Sequence, residues 1–278
     1  MLRRTVIVPI GLVLDLNHHA SIGAFTKLSQ QPGKMLDGEK LVFTPELMLQ
    51  ILERDNDFKA GRYKDVAQFR KDILELFHLQ ATDTEFDQAW NAMQGDLSQL
   101  SSKLLEVKKR YSHLNIIWIS KTNPIHLKSL QDALATQEQK QEGSTLVLGD
   151  NFFASCCTPA VKSAPDDKTD VVFYQDVIKN KIQDNDAVSL IIQLESRSPI
   201  PVVKERDDRR AQLLATWGKE QHFTVIARDA KQDLASLMTT HFPKPYDGQF
   251  SHWLKSPEKT IEQVEARHAM QSNSFRPR

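Results

Sequence analysis

The sequence is short of glycine, of cysteine and of excess charge of either sign. Ten glycines in 278 residues leave little material for glycine-rich phosphate loops or for an all-β fold joined by tight turns. The two cysteines are neighbours, Cys156 and Cys157. Neighbouring cysteines rarely bridge, so the expectation is buried structural thiols in a reducing, cytoplasmic setting. Lys and Arg number 36 and Asp and Glu 36, for a formal net charge of zero. A chain whose main work is gripping nucleic acid or an acidic membrane needs a basic excess, so neither partner is expected. No run approaches the roughly 18 consecutive apolar residues that read as a membrane span. Met1–Arg4 followed by Thr5–Leu16 has the outline of a signal peptide. Asp15 interrupts it and no small-residue cleavage site follows, so a buried strand is the expectation.

What is present is an alternation of apolar runs and helical periodicities. Val6–Leu16 is continuously aliphatic and reads as a strand buried on both faces. Residues 21–100 change character: Val66, Phe69, Ile73, Leu74 and Phe77 recur at helical spacing. Thr82 with Glu85 forms a capping box ahead of Phe86, Ala89, Trp90 and Met93. A helix is predicted over Leu104–Tyr111, a buried strand over Leu114–Ser120, and a helix from Pro124, a first-turn proline, to Gln137. Thr145–Leu148 and Phe152–Cys156 read as short strands. Val171–Ile182 reads as a helix, Ala187–Leu194 as a strand, Val202–Trp217 as a helix stopped by Gly218, and Phe223–Ala227 as a strand. Alternation of this kind predicts an α/β fold, a doubly wound, mostly parallel sheet. Its core is expected at residues 1–18 and 104–250, with a helical cap inserted at 19–103 and a polar tail at 251–278.

Ligands of such sheets bind at the carboxyl ends of the strands. That rule selects Asp15, Ser120, the region around Lys162 and the residues after Ile192. A carboxylate, a hydroxyl and an ammonium there suit phosphoryl chemistry, in which the carboxylate attacks phosphorus and the others hold its oxygens.

On these residues the sequence resembles the haloacid dehalogenase-like (HAD) hydrolases, most of which are phosphatases. Gly11-Leu12-Val13-Leu14-Asp15-Leu16-Asn17 is similar to the family's first motif, and Ile116–Ser120 with Lys121-Thr122-Asn123 to its second. Lys162-Ser163-Ala164-Pro165 is similar to its third. Gly61 with Val66–Phe69, and Thr82–Phe86 with Ala89-Trp90-Asn91, are similar to its helical cap. The resemblance implies Asp15 as nucleophile, Ser120 and Lys162 as phosphate holders, and Lys121 and Asn123 beside the substrate. It also implies Mg²⁺ held by Asp15, by Asn17 through its carbonyl, and by the fourth motif. That motif falls at Gln193, with Glu195 beyond it, or alternatively at Asp207-Asp208.

Two departures stand in the sequence itself. The family's general acid/base aspartate is replaced by Asn17, which cannot relay a proton, a loss of about 10²–10⁴-fold. The acidic pair that completes an oxygen-ligand Mg²⁺ site is not evident at Gln193. Two functions follow. One is a phosphatase acting on a small phosphorylated molecule through an aspartyl phosphate. The other is an eroded member of the fold that binds a small molecule or a protein partner. A dehalogenase using the same nucleophile lacks identifiable pocket residues. His18-His19 reads as a solvated loop pair, and the mixed charges of Lys204–Arg210 as a solvated helix face.

Overall fold

The computed structural model describes residues 4–14, 16–138, 151–183, 186–193, 201–228 and 233–243. Its centre is a five-stranded, all-parallel sheet in the order β3-β2-β1-β4-β5. The strands are β1 (Arg4–Pro9), β2 (Asn115–Ser120), β3 (Phe152–Ala154), β4 (Ala187–Gln193) and β5 (Thr224–Arg228). The chain builds one wing with β2 and β3, then returns beside β1 with β4 and β5. The switch point, where ligands of doubly wound sheets sit, is therefore between β1 and β4.

The helices are α1 (His18–Ser29), α2 (Pro45–Lys59), α3 (Val66–Leu76), α4 (Asp83–Asn91), α5 (Leu100–Arg110), α6 (Pro124–Glu138), α7 (Pro159–Lys162), α8 (Thr169–Lys181), α9 (Pro201–Glu220) and α10 (Leu234–His241). Local chemistry fixes several of their ends. The Thr44 hydroxyl accepts from the Leu47 N–H, with Pro45 in the first turn of α2. Asp65 caps α3 through the Gln68 N–H. Thr82 and Glu85 make the reciprocal capping box at α4. Such caps satisfy N–H groups that the helix itself leaves orphaned.

Two apolar clusters hold these elements. Ile7, Ile117, Ile119, Leu190 and Ile192 of the sheet pack with Phe173, Tyr174 and Val177 of α8 and Leu214 of α9. Ile116 and Trp118 are buried as well, and the pleat directs them to the opposite face. Helices α1–α4 assemble a second cluster around Phe25, Phe58, Phe69, Phe77, Phe86 and Trp90, which Ile125 of α6 joins. Phe58 stacks on Phe69 with centroids 4.0 Å apart, and Phe25 meets Phe77 edge-on at 5.1 Å. Each such aromatic pair adds about 0.5–1.5 kcal/mol beyond its area burial.

Several expectations are corrected. The first strand stops at Pro9, and a 3-10 turn over Ile10–Leu12 follows it, so the aliphatic run to Leu16 is not one strand. Proline has no N–H to offer a neighbouring strand, and pairing with β4 ends earlier still, at Ile7. His18 and His19 open helix α1 rather than lying in a loop. Gly218 lies inside α9. A Cβ there would come within 2.9 Å of Leu190 Cδ1 and Val225 Cγ2, so its role is close helix–sheet approach and not helix termination. Helix α5 begins at Leu100, and α10 was not anticipated. Asp15, Thr145–Leu148, Glu195 and the tail 251–278 lie outside the described residues. Among the described residues no helix is long and apolar enough to cross a membrane.

Candidate functional site

The carboxyl ends of β1, β2 and β4 open into a cavity of about 350 Å³ beneath the helical insertion. Pro9 forms its wall at the end of β1, Ile119 and Lys121 at the end of β2, and Ile192 and Gln193 at the end of β4. Helices α1, α2 and α4 close the opposite side with Phe25, Met48, Ile51 and Trp90, while α8 and α9 supply Phe173, Tyr174, Arg206, Asp207 and Arg210. The lining thus combines apolar side chains of the insertion and the strand ends with charged groups from α2, α8, α9 and the end of β2.

The charges are largely paired. Asp55 and Lys59, one turn apart on α2, form an ion pair, and the amide of Asn123 donates to Asp55 Oδ1 at 3.1 Å. Burial alone raises a carboxylate's pKa, but the Lys59 ammonium and the Asn123 amide outweigh it, and Asp55 sits below its ordinary value. Lys121 Nζ lies 2.7 Å from Asp170 Oδ1. Despite burial, that ammonium holds Asp170 below the usual carboxylate range, while desolvation lowers Lys121 itself against the pull of Asp170. Arg206 Nη2 lies 3.0 Å from Asp207 Oδ1. Burial and the neighbouring Lys59 lower the pKa of His18, which favours a neutral imidazole. Arg210 is only 7 % exposed. It donates to Asn56 Oδ1 at 3.2 Å and to the Asp166 carbonyl at 3.1 Å.

Of the residues that sequence reasoning selected, the cavity gathers Lys121, Gln193 and Asp207. Ser120 ends β2 half-buried and does not line it. Asn123 is fully buried, its amide spent on Asp55 and on His126 Nδ1 at 3.2 Å. Asn17 caps α1, its side-chain oxygen accepting from the His19 N–H at 3.1 Å. Lys162 is exposed at the end of α7, and its carbonyl accepts from Arg62 Nε at 3.2 Å. Asp208 pairs with Lys204 on α9 at 2.9 Å.

Sequence reasoning missed Asp55, Lys59, Asp170 and Arg210. The first two carried a signal, an acid and a base four apart on one helix. The reading of Lys204–Arg210 as a solvated face is corrected for Arg210, which lies one turn before Leu214 on the buried stripe of α9.

Asp15 and Glu195, two of the cation ligands that the resemblance implied, lie outside the described residues, and the described ones do not by themselves fit a divalent cation. Among the described residues no three His, Cys, Asp or Glu side chains are grouped to hold a metal. At the strand ends, Pro9 offers no side-chain donor, and the Gln193 amide oxygen accepts from Arg228 Nη1 at 3.3 Å. Mg²⁺ favours carboxylate and water oxygens in near-octahedral array.

No family model matches the sequence, and no curated protein does. Solved structures do match it. A HAD family enzyme from Bacteroides thetaiotaomicron is 18% identical, with 86% of this chain and 99% of that one covered, at a TM-score of 0.55. The fold is HAD-like. A predicted HAD-like family hydrolase from Porphyromonas gingivalis is 19% identical over 88% of this chain and all of its own, at a TM-score of 0.54. The Bacteroides enzyme has also been solved with magnesium and inorganic phosphate, and that structure matches at 19% identity and a TM-score of 0.52. At such identity the HAD-like likeness speaks for architecture, since one fold hosts many activities.

Proposed function

We propose that this chain is a HAD-fold protein that binds a small molecule between its helical insertion and its sheet without hydrolysing it. The observation that carries this reading is Pro9. The resemblance places the nucleophile where the first strand ends, and here the strand ends at a proline facing the cavity, six positions before Asp15. A pyrrolidine ring can neither attack phosphorus nor hold a metal.

The supporting residues point the same way. Asn17 is engaged as a helix cap, Gln193 is a neutral amide, and neither Ser120 nor Lys162 lines the cavity. The cavity itself has the size of ordinary ligand sites, an apolar body with a few convergent polar groups. Its wall also includes Trp90, whose buried indole N–H has no hydrogen-bond partner among the described residues.

A second reading is favoured by the phosphate and magnesium found in the Bacteroides neighbour. Here the chain is a phosphatase on a small phosphorylated molecule, with Asp15 as nucleophile and Mg²⁺ as Lewis acid. Turnover of para-nitrophenyl phosphate, with Mg²⁺ and with chelator, separates the two when wild type is compared with Asp15→Asn. The binding reading expects equal background rates in all four measurements. Metal-dependent turnover that disappears in Asp15→Asn overturns it.

A further inference from the structure

The cavity's chemistry is lopsided in a way that specifies its occupant. Among the described residues four cationic side chains line it, Lys59, Lys121, Arg206 and Arg210, against three carboxylates, Asp55, Asp170 and Asp207. Lys59, Lys121 and Arg206 each have a carboxylate partner. Among the described residues Arg210 hydrogen-bonds two neutral oxygens, the Asn56 amide and the Asp166 carbonyl, and the carboxylate that its charge acts on, Asp170, is already paired with Lys121. With the His18 imidazole held toward its neutral form, the described cations outnumber the described carboxylates by one, and the Arg210 guanidinium, 7 % exposed, is the one without a carboxylate of its own. A charge so far out of water is costly unless it is paired. A guanidinium offers five N–H groups in a planar fork, and two hydrogen bonds leave it room for a bidentate acceptor.

Much of the remaining wall is hydrophobic, with Phe25, Phe43, Met48, Phe77 and Met93 of the insertion presenting aromatic and thioether surface. Methionine and aromatic side chains adapt to a chain or ring of varied shape. Resting on the reading that this cavity is a binding site, we propose that its ligand is an amphipathic monoanion, a carboxylic acid whose alkyl or aryl body fills the Phe25–Phe77 side while its carboxylate pairs with Arg210. A single excess positive charge matches one negative charge. A phosphate monoester, which carries close to two at neutral pH, leaves its second charge without a cation. A neutral alcohol of the same length leaves Arg210 as it is.

The test is a titration of the full-length protein with octanoate, octyl phosphate and octanol, read by calorimetry and by tryptophan fluorescence. Octanoate is expected to bind at least about tenfold more tightly than octanol, the worth of one charge-assisted pair, and more tightly than octyl phosphate. Arg210→Met is expected to bring octanoate down to the level of octanol while leaving octanol unchanged. Because Arg210 is buried and its loss can compromise folding, Met48→Trp serves as a second variant. By narrowing the apolar side, it weakens octanoate and octanol alike. Octyl phosphate binding best, octanol matching octanoate, or no binding of any of the three overturns the proposal. The first of these leaves the non-catalytic reading standing. Release of inorganic phosphate from octyl phosphate overturns that reading instead, so the two fail separately.

Discussion

The side-chain amide of Asn123 donates to Oδ1 of Asp55 at 3.1 Å, tying the loop after β2 to helix α2 of the insertion. The same Asn123 accepts from the His126 N–H at 3.0 Å, and its amide meets His126 Nδ1 at 3.2 Å. The His126 ring continues the chain to the Trp90 carbonyl at 3.1 Å. The carboxyl end of β2, α2, α4 and α6 are thus joined by one buried polar network. Such a network is costly to break, because each orphaned partner stays out of water. Asn123→Ala removes three of its hydrogen bonds and is expected to lower unfolding stability by about 2–4 kcal/mol. Chemical denaturation measures this, and a loss under about half a kcal/mol contradicts the network's role.

His126 also makes stability depend on pH. Burial lowers its pKa from 6.5 to about 4, so the folded protein holds the ring neutral where the unfolded chain protonates it. Between those two values the unfolded state binds more protons, and stability falls as pH falls. The expected total is about 3 kcal/mol across the window. Asp55 acts further down, its contribution fading as the carboxylate protonates. Denaturant midpoints taken from neutral pH to about 4 are expected to slope in wild type and to flatten in His126→Gln.

Gly218 gives a prediction with an unusual sign. At an exposed helical position Gly→Ala stabilises by about 1 kcal/mol. Here the added methyl meets Leu190 and Val225 at 2.9 Å, and Leu190 is fully buried with little room to shift. Overpacking of this kind costs about 1–3 kcal/mol. Gly218→Ala is therefore expected to lower the melting temperature, and a rise contradicts the packing described for α9.

Gly61 adopts a left-handed backbone, with φ at +69°, and a Cβ there would sit 3.2 Å from the Cys156 carbonyl. Alanine pays for both the conformation and the contact, so Gly61→Ala is expected to cost about 1–2 kcal/mol in unfolding stability. The adjacent Arg62 pairs with Asp57 and Asp166 and donates to the Lys162 carbonyl, which ties the end of α2 to the end of α7 and the turn into α8.

Much of the architecture was legible from residue order. Ile116–Ile119 and Leu190–Ile192 are short apolar runs with clear polar ends, and the Thr82–Glu85 box marks where α4 begins. The end of β1 was not legible from periodicity, because Val6–Leu16 is aliphatic throughout and offers no change of period. Pro9 was the signal, since a central strand cannot pair on both sides past a residue without an N–H. The candidate nucleophile was read from that same run, at Asp15, six positions beyond the end of the strand. Arg210 was hidden for a different reason. A run of mixed charges resembles a solvated face until helical phase is followed from Arg206 through Arg210 to Leu214.

If the chain binds without hydrolysing, as proposed, no carboxylate takes up a phosphoryl group, and covalent labelling measures this directly. The protein is incubated with radiolabelled acetyl phosphate and Mg²⁺, quenched in acid, and split into samples with and without hydroxylamine, alongside Asp15→Asn. The account predicts no incorporation above that of the variant. A hydroxylamine-labile label on the wild type, lost in Asp15→Asn, contradicts it and identifies a working aspartyl-phosphate enzyme.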